Sequence, residues 1–306
     1  MTTRWPVLLI GFAAVAAILA WGLLTDPLRA NLKTPPPMGA TLRDEGDRAA
    51  EAMTRALSQE NAADAQEAYE RAVDAYAAGY ELEGDIASLI ALGHVHLAMD
   101  RIDPARRSFF EAISRFPSHP DGYDGLGDVL AAFGDVRGAI ENHQTSLWWL
   151  TQPGTDPTTV HATEVDLHRK LGASYAKLHS YTPTLEHYNA VLAAIPDDLA
   201  ALLGVARVHA ERRSVDEAVE AYRRAVVAAA DAEAELLVLS EIVALADEMP
   251  EGSPAWGLDA LLESAERLIA LGRIAEARSA VDRVADADPG YRADDVAELR
   301  DSIDTL

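Results

Sequence analysis

The chain has 306 residues, with 26 Lys plus Arg against 50 Asp plus Glu, a formal charge of −24. Duplex DNA, RNA and anionic lipid surfaces each need a basic face, so this balance argues against all three as the main partner. The absence of cysteine excludes disulfides, thiolate metal sites, iron–sulfur clusters, thiol nucleophiles and a lipid-modified cysteine anchor. Hydrophobic residues make up 49% and aromatics only 6%, the excess being alanine, a composition that favours helix.

In chain order, the first feature is Trp5–Leu24, a run without a single charge. As a helix it is about 30 Å long, the thickness of a bilayer core. Trp5 and Trp21 stand near its ends, where amphipathic rings favour the interface. Residues 1–24 therefore read as a retained single-pass anchor. The competing reading is a cleaved signal peptide, whose apolar core is shorter, about 7–15 residues, and which needs a small-residue cleavage site that does not follow here. Gly11, Ala13, Ala16, Ala17 and Ala20 place small residues at helical spacing, a face for packing on another membrane helix. Abundant alanine gives the same spacing by itself. Arg4 on one side against Arg29, Lys33 and Arg43 on the other leaves orientation nearly tied. The short basic N-terminus resembles an uncleaved signal-anchor. That resemblance places the chain in a bacterial inner membrane with its soluble part periplasmic.

Residues 25–44 read as a tether, since Thr34-Pro35-Pro36-Pro37 favours extended geometry. From residue 49 onward there are 21 basic and 46 acidic side chains, so the region 45–306 holds the charge imbalance. This region repeats. Leu92-Gly93 recurs as Leu126-Gly127 after 34 residues and as Leu171-Gly172 after a further 45. Pro117 and Pro196 stand 79 apart, so the longer interval is one repeat plus an insertion of 11. Frames at 86–119, 120–153, 165–198 and 199–232 align Leu89/Tyr123/His168/Leu202, Ala105/Ala139/Thr184/Ala218 and Phe109/His143/Tyr188/Tyr222. A weaker frame covers 258–291, and a degenerate one lies near 47–80, with Ala65, Tyr69 and Ala72. Each frame reads as two amphipathic helices around a turn.

These positions resemble the tetratricopeptide repeat. Leu89-x2-Leu92-Gly93-x2-His96, then Ala105-x3-Phe109-x2-Ala112-x4-Pro117, follows its signature, with histidine in place of one aromatic. His143, Ser146 and Thr151 depart from it. The resemblance implies an all-α fold, an α-solenoid of helical hairpins following a single transmembrane helix. It also implies a concave surface lined by the first helix of each repeat.

Three stretches break the pattern. Residues 151–163 form an insertion after Trp148-Trp149; one of these rings is an exposed anchor, or both are half-covered by the loop. Residues 232–257 hold a long apolar helix and then Pro-Glu-Gly-Ser-Pro rather than a second helix. Residues 293–306 read as the polar capping helix that a solenoid needs. Catalytic motifs are wanting, and no cofactor or metal is expected. Gly125-x-Gly127 lacks its third glycine and a preceding strand. His94 and His96 point about 200° apart on a helix, and His161 and His168 lie too far apart to share an ion.

By resemblance, the groove holds Ile90, His94 and Leu97, then Asp121, Asp124 and Asp128, then Arg169, Lys177 and Arg207. The three aspartates share one helix face, which would steer a basic partner segment. The expected function is non-enzymatic: a membrane-anchored scaffold or accessory subunit mediating protein–protein interaction in a bacterial membrane complex, with the bilayer gripped by residues 5–24 and no nucleic acid bound. The alternative is a membrane-tethered chaperone for extended client peptides, similar in layout to the tetratricopeptide subunits of cytochrome c maturation.

Overall fold

The computed structural model describes residues 38–154, 163–249 and 254–306. These form fourteen α-helices and no strand: α1 Met38–Ser58, α2 Ala62–Glu83, α3 Ile86–Ala98, α4 Ile102–Arg115, α5 Pro120–Phe133, α6 Val136–Leu150 and α7 Glu164–Lys177. There follow α8 Tyr181–Ala194, α9 Leu199–Glu211, α10 Val215–Ala228, α11 Ala232–Asp247, α12 Ala255–Ala270, α13 Ile274–Ala287 and α14 Ala293–Asp304. Each helix packs on the next, and the stack is an α-solenoid.

One backbone device sets the period. A left-handed residue lies in the turn after α1, α3, α5, α7, α9 and α12: Glu60, Asp100, Gly134, His179, Arg213 and Gly272. From Asp100 to Arg213 the intervals are 34, 45 and 34, the same as those of the Leu-Gly pairs. The bend lets the next backbone N–H reach back five residues, as in Arg101 to His96, Asp135 to Leu130, Ser180 to Tyr175 and Ser214 to His209. Those bonds satisfy carbonyls that a helix end otherwise leaves open. At the other end, the side chains of Asp85, Asp135, Thr163, Asp198 and Asp231 cap α3, α6, α7, α9 and α11. Each such cap contributes about 1 kcal/mol.

The turn series also identifies α11 as the unpaired helix. It lies between the hairpin α9/α10, closed at Arg213, and the hairpin α12/α13, closed at Gly272. Its buried Val238, Leu239, Ile242 and Leu245 join the largest core cluster, and a Cβ on Gly257 of α12 would lie 2.3 Å from the buried Ala246 methyl. The close approach of α11 and α12 thus carries the array across the irregular segment. At the end of the array, α14 turns Val296 and Ile303 inward and leaves most of its acidic side chains in water.

Residues 38–44, expected within the tether, belong to α1. The reason is packing: Gly46, Ala49, Met53 and Ala56 form one buried stripe against α2, and the helix continues N-terminally from it. The proposed anchor at 5–24, its small-residue face and the rest of the tether lie outside the described residues, as do 155–162 of the insertion. Among the described residues no helix is long and apolar enough to cross a membrane.

Helices two apart approach closely at α3–α5, α7–α9 and α12–α14. The first helices of the hairpins therefore crowd along the inner side of the stack. The second helices, α4, α6, α8 and α10, form the outer row.

Candidate functional site

The inner row is built on aromatic wedges. Phe109, on α4, is fully buried; a Cβ on Gly93 of α3 would lie 2.6 Å from its ring, and one on Gly125 of α5 would lie 2.1 Å away. Tyr188, on α8, fits in the same way between Gly172 of α7 and Gly204 of α9, at 2.8 and 2.1 Å. Glycine is required at these four places because the ring occupies the space a side chain would take. One ring thus joins its own hairpin to the next.

Between these joints the chemistry changes. The wedge on α6 is His143, buried over Gly127, and the position that is glycine in α5 and α9 is Lys170 in α7. The Lys170 ammonium lies 2.7 Å from Asp124 Oδ1 and 2.8 Å from Asp128 Oδ2. His143 Nε2 stands 3.2 Å from Asp128 Oδ1 and 3.7 Å from Asp124 Oδ1. A four-residue polar network therefore replaces the aromatic–glycine joint where the insertion separates two repeats. Burial raises the pKa of Asp124, and Lys170 offsets this only in part. Burial acts the same way on Asp128, but hydrogen bonds from His143 and Lys170 outweigh it and hold its carboxyl below the ordinary value. Burial lowers the Lys170 pKa, yet the two carboxylates outweigh that and keep it above the usual lysine value. Asp124, Asp128 and His143 present donor atoms within 4.8 Å of one another, the spacing of a metal site. Here the ammonium supplies the positive charge. Nearby, His143 Nδ1 and Ser146 Oγ are buried without a hydrogen-bond partner, so the joint is polar but incompletely satisfied.

This arrangement corrects the expected acidic patch. Asp121 and Asp124 are buried, and the charge of Asp124 and Asp128 is answered by Lys170 from the same chain. The three aspartates are not an open surface awaiting a basic segment. Ile90 is likewise buried, in the core around Phe109, because α3 is apolar on nearly every side and is covered by both neighbouring hairpins. Leu97 is half-buried against the same core, whereas His94 is exposed and sets its ring edge-on to Phe109 at 5.1 Å. The surrounding protein lowers the basicity of His94, although the carboxylates of Asp128 and Asp124 oppose this. His96 turns the other way and bonds Tyr69 Oη through Nδ1 at 3.0 Å.

The basic groove residues are also partnered within the chain. Arg169 bonds Asp198 at 2.7 Å, reaching the cap of α9, and also pairs with Asp166. Arg207 forms a two-armed pair with Glu241 of α11. Glu241 also accepts a bond from the Tyr222 hydroxyl at 2.9 Å. Lys177 is exposed at the end of α7. The inner row is thus laced by ion pairs that run from one first helix to the next. Sequence reasoning missed this lacing because the partners lie 29 to 46 residues apart. At the outer end of α6, Trp148 is 54% exposed and meets Trp149 edge-to-face at 4.5 Å, so one ring of the pair is open to solvent.

The tetratricopeptide repeat family model matches residues 90–142 and 170–234. No curated relative matches the chain. Among solved structures, the crystal structure of MamA protein is similar at 17% identity and a TM-score of 0.46, covering 62% of this chain and 91% of that one. PilW, a type IV pilus biogenesis factor, aligns at 13% identity and a TM-score of 0.47, covering 83% and 97%. YrrB, described as a TPR protein with an unusual peptide-binding site, aligns at 14% identity and a TM-score of 0.44, covering 75% and 99%.

Proposed function

We propose that this chain, which carries tetratricopeptide repeats over residues 90–142 and 170–234, is a non-catalytic scaffold or accessory subunit that holds a protein partner on its inner helix row. One observation carries the reading. Helices α3 and α5, and α7 and α9, approach each other directly, and Lys170 of α7 reaches Asp124 and Asp128 of α5, so four different repeats contribute to one face. Such a face suits a protein segment running across several repeats better than a small molecule, which needs an enclosed pocket. Because Lys170, Arg169 and Arg207 already hold the acidic groups, contact falls to His94, Leu97, Lys177 and the solvent edges of the ion pairs.

Residues 5–24 are proposed to anchor the array in a bacterial inner membrane, with the tether setting it off the surface and the repeats outside the cytoplasm. The charge-free length of that run supports the anchor. Protease added to intact spheroplasts should then remove the repeats; full protection, with cleavage restored on lysis, reverses the side.

After mild detergent extraction, the full chain should co-purify with one folded assembly in fixed stoichiometry, and the complex should survive gel filtration. Transient capture of many unfolded peptides, with no stoichiometric partner, would instead make the chain a tethered chaperone and sink the scaffold reading.

A further inference from the structure

A second polar cluster lies apart from the Lys170 network, between α7 and α8. His168 on α7 and His187 on α8 place their Nδ1 atoms 2.8 Å apart, with ring centroids 5.1 Å apart and planes inclined by 43°. Both residues are half-buried. Tyr175, one helical stripe along α7, stacks on His187 at 5.5 Å and 10°. The Tyr175 hydroxyl is itself held by the Gln144 amide of α6 at 2.9 Å. On the far side of His168, Glu164 Oε1 lies 3.9 Å from Nε2.

We propose that His168 and His187 are the protein ligands of a divalent transition-metal site, of the borderline class that includes zinc, with water completing the coordination. Two imidazole nitrogens on one tetrahedral zinc, each at ~2.0–2.1 Å, stand about 3.3 Å apart. The observed pair needs to open by only about half an ångström to admit the ion. Both ligands come from the two helices of a single hairpin, so the site is built before any ion arrives. Without metal, one Nδ1–H donates to the other Nδ1. On binding, that proton shifts to Nε2 of the same ring, so both neutral imidazoles turn an Nδ1 lone pair to the ion and no net proton is lost.

The neighbours favour this chemistry. Glu164 lies 3.9 Å from Nε2 of His168, within one side-chain adjustment of the carboxylate position behind a metal-bound histidine. Tyr175, fixed by Gln144, limits the swing of the His187 ring.

The test is Zn²⁺ titration of the tag-free full chain in detergent, by competition with a chromophoric chelator, with helix content followed by circular dichroism. One equivalent should bind at pH 7.5. Either His168→Gln or His187→Gln should weaken it by more than about 30-fold with helix content unchanged, and Glu164→Gln by about tenfold. The proposal is overturned if the wild type takes up no zinc, or if His168→Gln and Glu164→Gln both leave affinity unchanged. It is overturned equally if His143→Gln abolishes the binding, since the ion would then sit among Asp124, Asp128 and His143.

Discussion

Replacing Lys170 by Met should destabilise the protein by about 3 kcal/mol at pH 7.5, because it strands two carboxylates in a mostly buried joint. Side-chain exposure is 31% for Lys170, 12% for Asp124 and 23% for Asp128, so water relieves part of the penalty and the low end of the buried-pair range applies. The pH dependence gives the sharper test. In the wild type, Asp128 has a lowered pKa in the folded state. Its contribution is present above the unfolded value, about 3.9, and is lost only as pH falls through the lower folded value. Lys170 has a raised pKa, so its contribution is present at and below ordinary lysine values and is lost only at more alkaline pH. In the variant, burial and mutual repulsion raise the carboxylate pKa values above the unfolded ones. The folded variant then gains relative stability as pH falls and one carboxylate takes a proton. Urea titrations should show the deficit shrinking by more than about 1 kcal/mol between pH 7.5 and 5. Stability in a repeat array is a sum of repeat and interface contributions, so hydrogen exchange should place the loss at α5, α6 and α7. A deficit below about 0.5 kcal/mol that does not vary with pH would make the network an ordinary surface ion pair.

The second large effect concerns the wedge itself. Phe109→Ala should cost about 3–5 kcal/mol, since the ring is fully buried and two helices cannot close over the gap. Gly125→Ala alone should cost about 1–3 kcal/mol, because the new methyl would meet the ring. In the Phe109→Ala background the same substitution should be neutral or stabilising by up to about 1 kcal/mol, since the obstruction has gone and alanine is the better helix former. Equilibrium unfolding of the four proteins in this cycle reads the coupling directly. Strict additivity would show that the ring and the glycine do not share the space assigned to them.

The period, the hairpins and the small residues under each ring were legible in the sequence, because Leu92-Gly93, Leu126-Gly127 and Leu171-Gly172 mark the same packing position. The turns were less legible. Gly134 and Gly272 announce a left-handed residue, but Asp100, His179 and Arg213 adopt the same conformation without any such signal. Surface assignments failed for a different reason. Ile90 fits a groove position by register, yet only the tertiary stack shows that both neighbouring hairpins cover α3. Asp124 and Asp128 read as a solvated acidic face because their counter-ion, Lys170, lies 46 and 42 residues away. One sign was present in the aligned frames. His143 stands where the other repeats carry Phe109, Tyr188 and Tyr222, and Lys170 stands where they carry Gly125 and Gly204. A polar wedge matched by a polar socket is a paired change, visible only when both columns are read together. The His168–His187 pair has no signature along either helix, because the two rings meet across a hairpin.

A protein partner is expected to lie on the inner row. A photo-crosslinking residue placed at His94, Lys177 or Arg207, one at a time, should capture the same co-purifying protein from intact membranes. The same residue at Phe110, Arg224 or Val227, exposed on the outer helices α4 and α10, should capture none of it. Equal capture from both rows, or capture from the outer row alone, would rule out binding on the inner row.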